Sequence, residues 1–307
     1  YEYGIQPTTS VNVVDGSREE ILLFPGAVVS YKGREMGVQL LPNQVGYDEA
    51  RRLNNAIVQL EYLFAQAIQK LSQYRRPVVG ISQGHGEMPL EQLASLGTLL
   101  EENYYEVKPL NITQGYSIDN VDVLLIAGPT KPFSEADKFK IDQYIMSGGK
   151  VLWAIDPMVA SMDSMQGGAF FMAMPREINL ADILFKYGIR LNDDLIQDAQ
   201  LQAPIPMVSG QVNGVPQTQL FPMIYHPLLI PGSQHGIVRN LDPVWGRFTS
   251  TLDTIRVRGI KKHTLLVSSE FSRAPKAPVR VHMSQFTTEL EPRAFRQSFL
   301  PAAVSLE

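Results

Sequence analysis

The 307-residue chain has no cysteine, which excludes thiol nucleophiles, disulfides and thiolate-held metals. A lack of thiols suits a bacterial periplasm without requiring it. Long apolar runs are missing too: nothing approaches the roughly 18 apolar residues that a membrane-spanning helix needs, and no signal-peptide pattern opens the chain. Positive charge is scattered. No Lys/Arg cluster exceeds the pairs Arg75-Arg76 and Lys261-Lys262, and the formal net charge is -4, so no grip on a phosphate backbone is visible and no nucleic-acid partner is expected. Two tryptophans, Trp153 and Trp245, are too few to line an aromatic cleft.

What is present is the composition of a folded body. Hydrophobic residues make up 44% and charged residues 19%, too apolar for disorder. The length exceeds the usual size of one domain and implies two, or one large and one partial. The ends, Tyr1-Glu2-Tyr3 and Leu306-Glu307, read as those of a trimmed piece, the last two residues as a cloning scar, with any membrane anchors or targeting segment outside it.

The patterning changes after residue 76. Within residues 1–76, Thr9 to Val14 carries strand signals, Asp15-Gly16-Ser17 a polar turn, Ile21 to Tyr31 a second extended run, and Arg34 to Leu41 its hairpin partner across Lys32-Gly33. From Asp48 to Tyr74, apolar residues such as Leu53, Ala56, Leu60, Leu63 and Ala67 recur three and four apart, which predicts a long amphipathic helix stopped by Pro77. A few strands and one helix make a thin α+β domain whose first part is missing. Within residues 77–307 the pattern alternates: strands at Val78 to Ser82, Tyr105 to Leu110, Val121 to Pro129 and Lys150 to Asp156, with helices at Pro89 to Asn103 and Ser134 to Met146. Strands apolar on both faces, separated by amphipathic helices, imply an α/β domain with a mostly parallel, doubly wound sheet. Ser134 is the predicted N-cap of its helix, with Glu135 and Asp137 in the first turn. A Met-rich insertion near 157–175 reads as an excursion from the sheet, either a lid or an adaptable protein-binding surface. A short helix from Asn179 to Tyr187 and strand-like pieces near Leu195, Pro206 to Val212, Phe221 to Tyr225 and Thr264 to Ser268 follow. The Pro-rich tail from Arg273 reads as wrapping the surface or leading to an anchor.

Gly84-His85-Gly86-Glu87 lies between a predicted strand and a predicted helix, at the sheet end where doubly wound folds bind ligands. Functionally, His85 is a candidate base or metal ligand and Glu87 a candidate proton acceptor. The alternative is a tight glycine turn in which His85 bonds within the loop and Glu87 meets backbone donors at the helix start. Lys131 and the free amides near it, after the second strand, are candidates for holding an anion. Asp156, ending the next strand, is a third sheet-end candidate. No nucleophile is expected to complete a hydrolytic set, and Gly-x-Gly-x-x-Gly and Gly-Lys-Ser/Thr spacings are absent, so no nucleotide or other cofactor is expected. One His and one carboxylate are too few for a metal, and His226, His235, His263 and His282 are scattered, with His226 and His235 in loop-like surroundings, so no metal site is expected.

Several long phrases, FPGAVVSYKGREMGVQLL, LNNAIVQLEYLFAQAIQKL, GHGE, DVLLIAGPTKPFSEADKFKIDQYIMSGGKVLWAIDP and TLDTIRVRGIKKHTLLVSS, run in order across nearly the whole chain. Together they resemble the GldG family of Bacteroidetes, gliding motility-associated auxiliary proteins of ABC transporters. The resemblance implies a periplasmic region held in the inner membrane by helices near the ends of the full protein, beside ABC transporter permease and ATPase subunits and in the context of gliding or secretion machinery proteins. It further implies a sheet of glutamine amidotransferase-like type, found also in intraflagellar transport proteins, preceded by part of a thioredoxin-like domain. The family brings no established catalytic residues; its Gly-His-Gly-Glu phrase falls on Gly84 to Glu87. The expectation is therefore a non-enzymatic domain mediating protein-protein or ligand interactions. The alternative is a hydrolase, or a sugar- or peptide-binding module, using the loop around His85 and Glu87.

Overall fold

A computed structural model of the chain describes residues 3–14, 17–41, 49–165, 168, 170–212, 215–287 and 291–307. The expected turn at Asp15-Gly16, the helix start at Asp48 and residues 166, 167 and 169 of the Met-rich segment lie outside the described residues. The chain divides into two compact units, Tyr1–Val79 with Glu91–Lys108, and Gly80–Leu90 with Pro109–Glu307.

The first unit opens with two antiparallel hairpins, β1 (Thr8–Val14) with β2 (Ser17–Leu23) and β3 (Gly26–Tyr31) with β4 (Arg34–Gln39). The single extended run expected from Ile21 to Tyr31 is thus two strands. Pro25 has no N–H to give a ladder, and Gly26 N turns back to donate to Phe24 O at 2.9 Å. Between Tyr31 and Arg34, Lys32 and Gly33 both take positive φ, 50° and 79°, the two-residue turn whose twist suits a hairpin. The helix α1 (Glu49–Ser72) follows, burying Ala56, Ala67 and Leu71 while Val58 and Tyr62 face solvent.

Next come β5 (Val78–Gln83), a 3-10 turn at Leu90–Leu93, α2 (Ala94–Glu102) and β6 (Glu106–Asn111). The helix expected from Pro89 starts later than its proline suggests, because its first turn is wound more tightly. Then β7 (Val123–Ala127), α3 (Glu135–Met146) and β8 (Lys150–Ala154) complete a four-stranded sheet ordered β6-β5-β7-β8, in which β7 and β8 run parallel from Val123↔Lys150 to Ala127↔Ala154. Leu124, Leu125 and Ile126 are all buried, as an interior strand covered on both faces requires. The strand at Lys150, expected to be buried, is instead the sheet's edge: its burial alternates and Leu152 is exposed.

The remaining elements are two short helices and strands that pair antiparallel among the described residues. In order they are β9 (Met158–Val159), β10 (Phe170–Pro175), α4 (Ala181–Lys186), β11 (Ile189–Leu191), β12 (Gln197–Asp198), β13 (Gln202–Val212), β14 (Val215–Pro231), β15 (Val244–Trp245), β16 (Leu252–Thr254), β17 (Lys262–Val267), β18 (Ser272–Arg273), β19 (Val279–His282), α5 (Ser284–Thr287) and β20 (Pro301–Leu306). A five-stranded sheet runs β13-β14-β17-β20 with β15 on β14, and β10 lies between β9 and β19. Two expectations are corrected here. The Met-rich segment supplies core: Met158, Phe171 and Ala173 are buried together with Tyr225 and Val281. Along β10, Phe171 and Ala173 point inward while Phe170, Met172 and Met174 point out, a period-two pattern hidden in a run where both faces are apolar. The Pro-rich tail likewise returns to the interior, since β19 pairs with β10 and buries Val279 and Val281.

Candidate functional site

Neighbouring strands β5 and β7 deliver two loops to one end of the sheet. Gly84 to Glu87 leaves β5; Gly128 to Pro132 leaves β7 and leads to α3. Gly86, at φ 67°, lets the first loop press against the second: a Cβ there would stand 2.2 Å from Thr130 Oγ1. Thr130 N and Lys131 N donate to His85 O at 2.9 and 2.8 Å, and Thr130 Oγ1 donates to Gly86 O at 2.9 Å. Lys131 therefore contributes its backbone amide, while its side chain is exposed.

His85 is 3% exposed. Its ring lies 3.8 Å from that of Phe133, nearly parallel, and its Nε2 meets Asp137 Oδ2 at 3.2 Å. Its Nδ1 is 3.7 Å from Glu87 Oε1, beyond hydrogen-bond range, and makes no hydrogen bond. Glu87 is also buried. Its Oε1 accepts from Ser82 Oγ at 2.5 Å and its Oε2 from His85 N at 2.7 Å. Burial alone would raise its pKa, but the His85 ring, the Ser82 hydroxyl and two backbone amides favour the anion and hold the carboxyl down at about 2. Asp137 caps α3 reciprocally with Ser134, donating N to Ser134 Oγ at 3.2 Å and accepting from it at 2.6 Å, and it also accepts from the buried Lys140 Nζ at 2.8 Å. Burial pushes Asp137 up as well, and Lys140, Ser134 and His85 together bring it below the ordinary aspartate range. Lys140 is anchored on Ile112 O at 2.6 Å.

The structure thus joins Gly84, His85, Gly86, Glu87 and the Lys131 amide. Asp156 is exposed beyond β8, surrounded by enough protein for desolvation to raise its carboxyl, with Arg176 opposing that rise. The partner that sequence reasoning did not assign to His85 is Asp137. Its signal was the Ser134-Glu135-Ala136-Asp137 capping spacing, which places an acid on the helix turn facing the sheet end. Gly80-Ile81-Ser82-Gln83-Gly84 also has Gly-x-Ser-x-Gly spacing, a nucleophile pattern. In the structure Ser82 lies within β5, fully buried, with its hydroxyl given to Glu87 rather than to His85. An elbow serine must stand exposed on the turn after its strand, so this one is not positioned to attack. Two acids and an imidazole converge, and all three side chains are buried. Among the described residues, a different set of three offers ligand atoms within 4.8 Å of one another: His235, His263 and Glu307.

A family model described as an ABC-type uncharacterized transport system, of auxiliary type, matches residues 76–307. The chain belongs to this family. Membership in the auxiliary family supports a transport-associated accessory role and association with transporter components. No curated protein matches the chain by sequence. Among solved structures similar to this auxiliary protein is one described as the mmIFT52 N-terminal domain, 15% identical, with a TM-score of 0.42, covering 64% of this chain and 74% of that one.

Proposed function

We propose that the chain is the periplasmic part of a GldG-type protein: a non-enzymatic accessory domain, anchored in the inner membrane by segments outside it, that engages ABC transporter permease and ATPase subunits in bacterial gliding motility. Family membership from residue 76 onward supports the transporter association. The gliding context rests on the long phrases that resemble the GldG family. An amidotransferase-like sheet preceded by part of a thioredoxin-like domain remains our reading of the fold. The observation that carries the non-enzymatic reading is the state of His85, 3% exposed, stacked on Phe133 and bonded to Asp137. A general base must reach a substrate proton, directly or through one water. A ring closed in this way instead makes Gly84 to Glu87 a clasp between the β5 and β7 ends, and any ligand would meet the exposed Lys131 side chain before it met His85.

The test is purification from membranes in mild detergent. The full-length protein should bring its permease with it in fixed proportion, and recovery of the protein alone, with the permease intact in the same extract, would sink the reading.

A further inference from the structure

Far along the chain from the His85 loop, β17 and β20 pair so that His263 faces Ser305 and Lys262 faces Leu306. The ladder continues one residue further, with reciprocal backbone bonds between Lys261 and Glu307 at 2.7 and 2.9 Å. Glu307 is therefore held by the sheet, and the family match extends to it, which counts against reading Leu306-Glu307 as a cloning scar. In an antiparallel pair, residue His263 and the residue two beyond its partner lie diagonally on one face, within reach of long side chains. Glu307 is that residue, and its Oε2 lies 3.9 Å from His263 Nε2. His235 arrives from the turn after β14. Its carbonyl accepts from Val238 N and Arg239 N at 3.0 and 2.9 Å, which pins the backbone, and its Nε2 stands 3.3 Å from Glu307 Oε1. The two imidazoles lie with ring centroids 5.0 Å apart, tilted by 41°.

We propose that His235, His263 and Glu307 form a site for a zinc-class divalent cation. Two donors each about 2 Å from a tetrahedral ion stand about 3.3 Å apart. The two His–Glu separations, 3.3 and 3.9 Å, are already near that value. Two imidazoles and one carboxylate suit a borderline ion, leave a fourth position open to water, and are poor ligands for calcium or magnesium, which prefer oxygen. The chain contains no cysteine, so no thiolate elsewhere competes. All three side chains are partly accessible, so an ion needs no opening of the fold to enter.

Coordination has a specific local cost. His235 Nδ1 accepts from Ile237 N at 3.2 Å, which keeps the ring proton on Nε2. An ion at Nε2 displaces that proton to Nδ1, and the Ile237 amide loses its acceptor. This gives the site a signature that loose surface binding does not have.

The experiment is calorimetric titration of zinc chloride into the whole chain at pH 7.5, with His235→Ala, His263→Ala and Glu307→Gln variants and His282→Ala as control. We expect one equivalent to bind. Loss of a ligand should weaken binding by no less than the loss of a supporting partner, about tenfold or more, while His282→Ala binds as wild type. In an amide-resolved NMR spectrum, Ile237 should shift on zinc addition and stay still in His235→Ala. Absence of binding at millimolar zinc, equal affinity in all four variants, or binding that leaves Ile237 unmoved would each overturn the site.

Discussion

His226 is buried in β14, with Phe248 edge-on at 5.1 Å and Trp245 at 5.8 Å, and neither ring nitrogen has a hydrogen-bond partner. Burial, reinforced by the Arg247 guanidinium, pushes the imidazole down from 6.5 to about 4. The folded ring resists a proton that the unfolded chain accepts as pH falls through 6.5. The stability it protects is therefore complete above pH 6.5 and is lost as pH falls toward 4, a change on the order of 3 kcal/mol over the whole window. Urea midpoints at pH 7.5, 6.0 and 5.0 should fall progressively, and His226→Phe should flatten the decline. An unchanged slope in the variant would assign it to other groups. The interval between pH 5 and 6.5 is chosen because Glu87, held near 2, stays ionised throughout it. Nothing in the sequence marked this residue. His226 precedes Pro227 and reads as part of a loop, whereas it lies in a strand whose ladder is irregular near Gln202, opposite Pro227. Proline lacks the N–H that a regular ladder would use there, and paired register resumes only at Pro204 opposite Pro222.

The clasp between the β5 and β7 ends depends on backbone conformation at Gly86. A left-handed φ costs an ordinary residue roughly 1–2 kcal/mol, and the new methyl of Gly86→Ala would press on the Thr130 hydroxyl. Gly86→Ala should therefore destabilise by more than that strain alone. Adding Thr130→Ala should restore the portion due to the clash and leave the strain. Urea unfolding of the two single variants and the double variant measures this coupling, and strictly additive losses would show that the two loops do not press on each other. These loops were legible as a junction at the sheet end because their signals are local: a strand, glycines, then a capped helix. Convergence with Asp137 was not, since it depends on which strands become neighbours, and spacing along the chain does not carry that. Local signals also recovered α1, β5, β7 and α3 to within a few residues, while β10 and β19, which read as excursion and tail, needed each other across more than 100 residues.

For the whole molecule, composition and the change of pattern near residue 76 anticipated an assembly of more than one part, yet one segment crosses the expected line. Glu91–Lys108, beyond the boundary in sequence, belongs to the first compact unit. Its hold there is specific: the Gln66 side chain donates to Asn103 Oδ1, Lys70 Nζ donates to Glu102 O at 2.6 Å, and α1 and α2 line a cleft of about 350 Å³ with Tyr62, Gln69, Leu99 and Tyr105. Within α2 no residue is fully buried, and it has no side-chain N-cap bond, so its own sequence does little to keep it helical. A nine-residue helix with so little buried is marginal in water, and its order must come from α1. Removing residues 1–75 while keeping the family-matched region from 76 should therefore loosen Ala94 to Asn103 selectively. Amide exchange there should accelerate by at least about tenfold, while Leu124 to Ile126 in β7, which are buried, should exchange as slowly as in the intact chain. Equal protection of α2 in both proteins would mean that α1 is not what orders it, and loss of protection in β7 would mean that the region from 76 onward depends on the preceding residues for its own core.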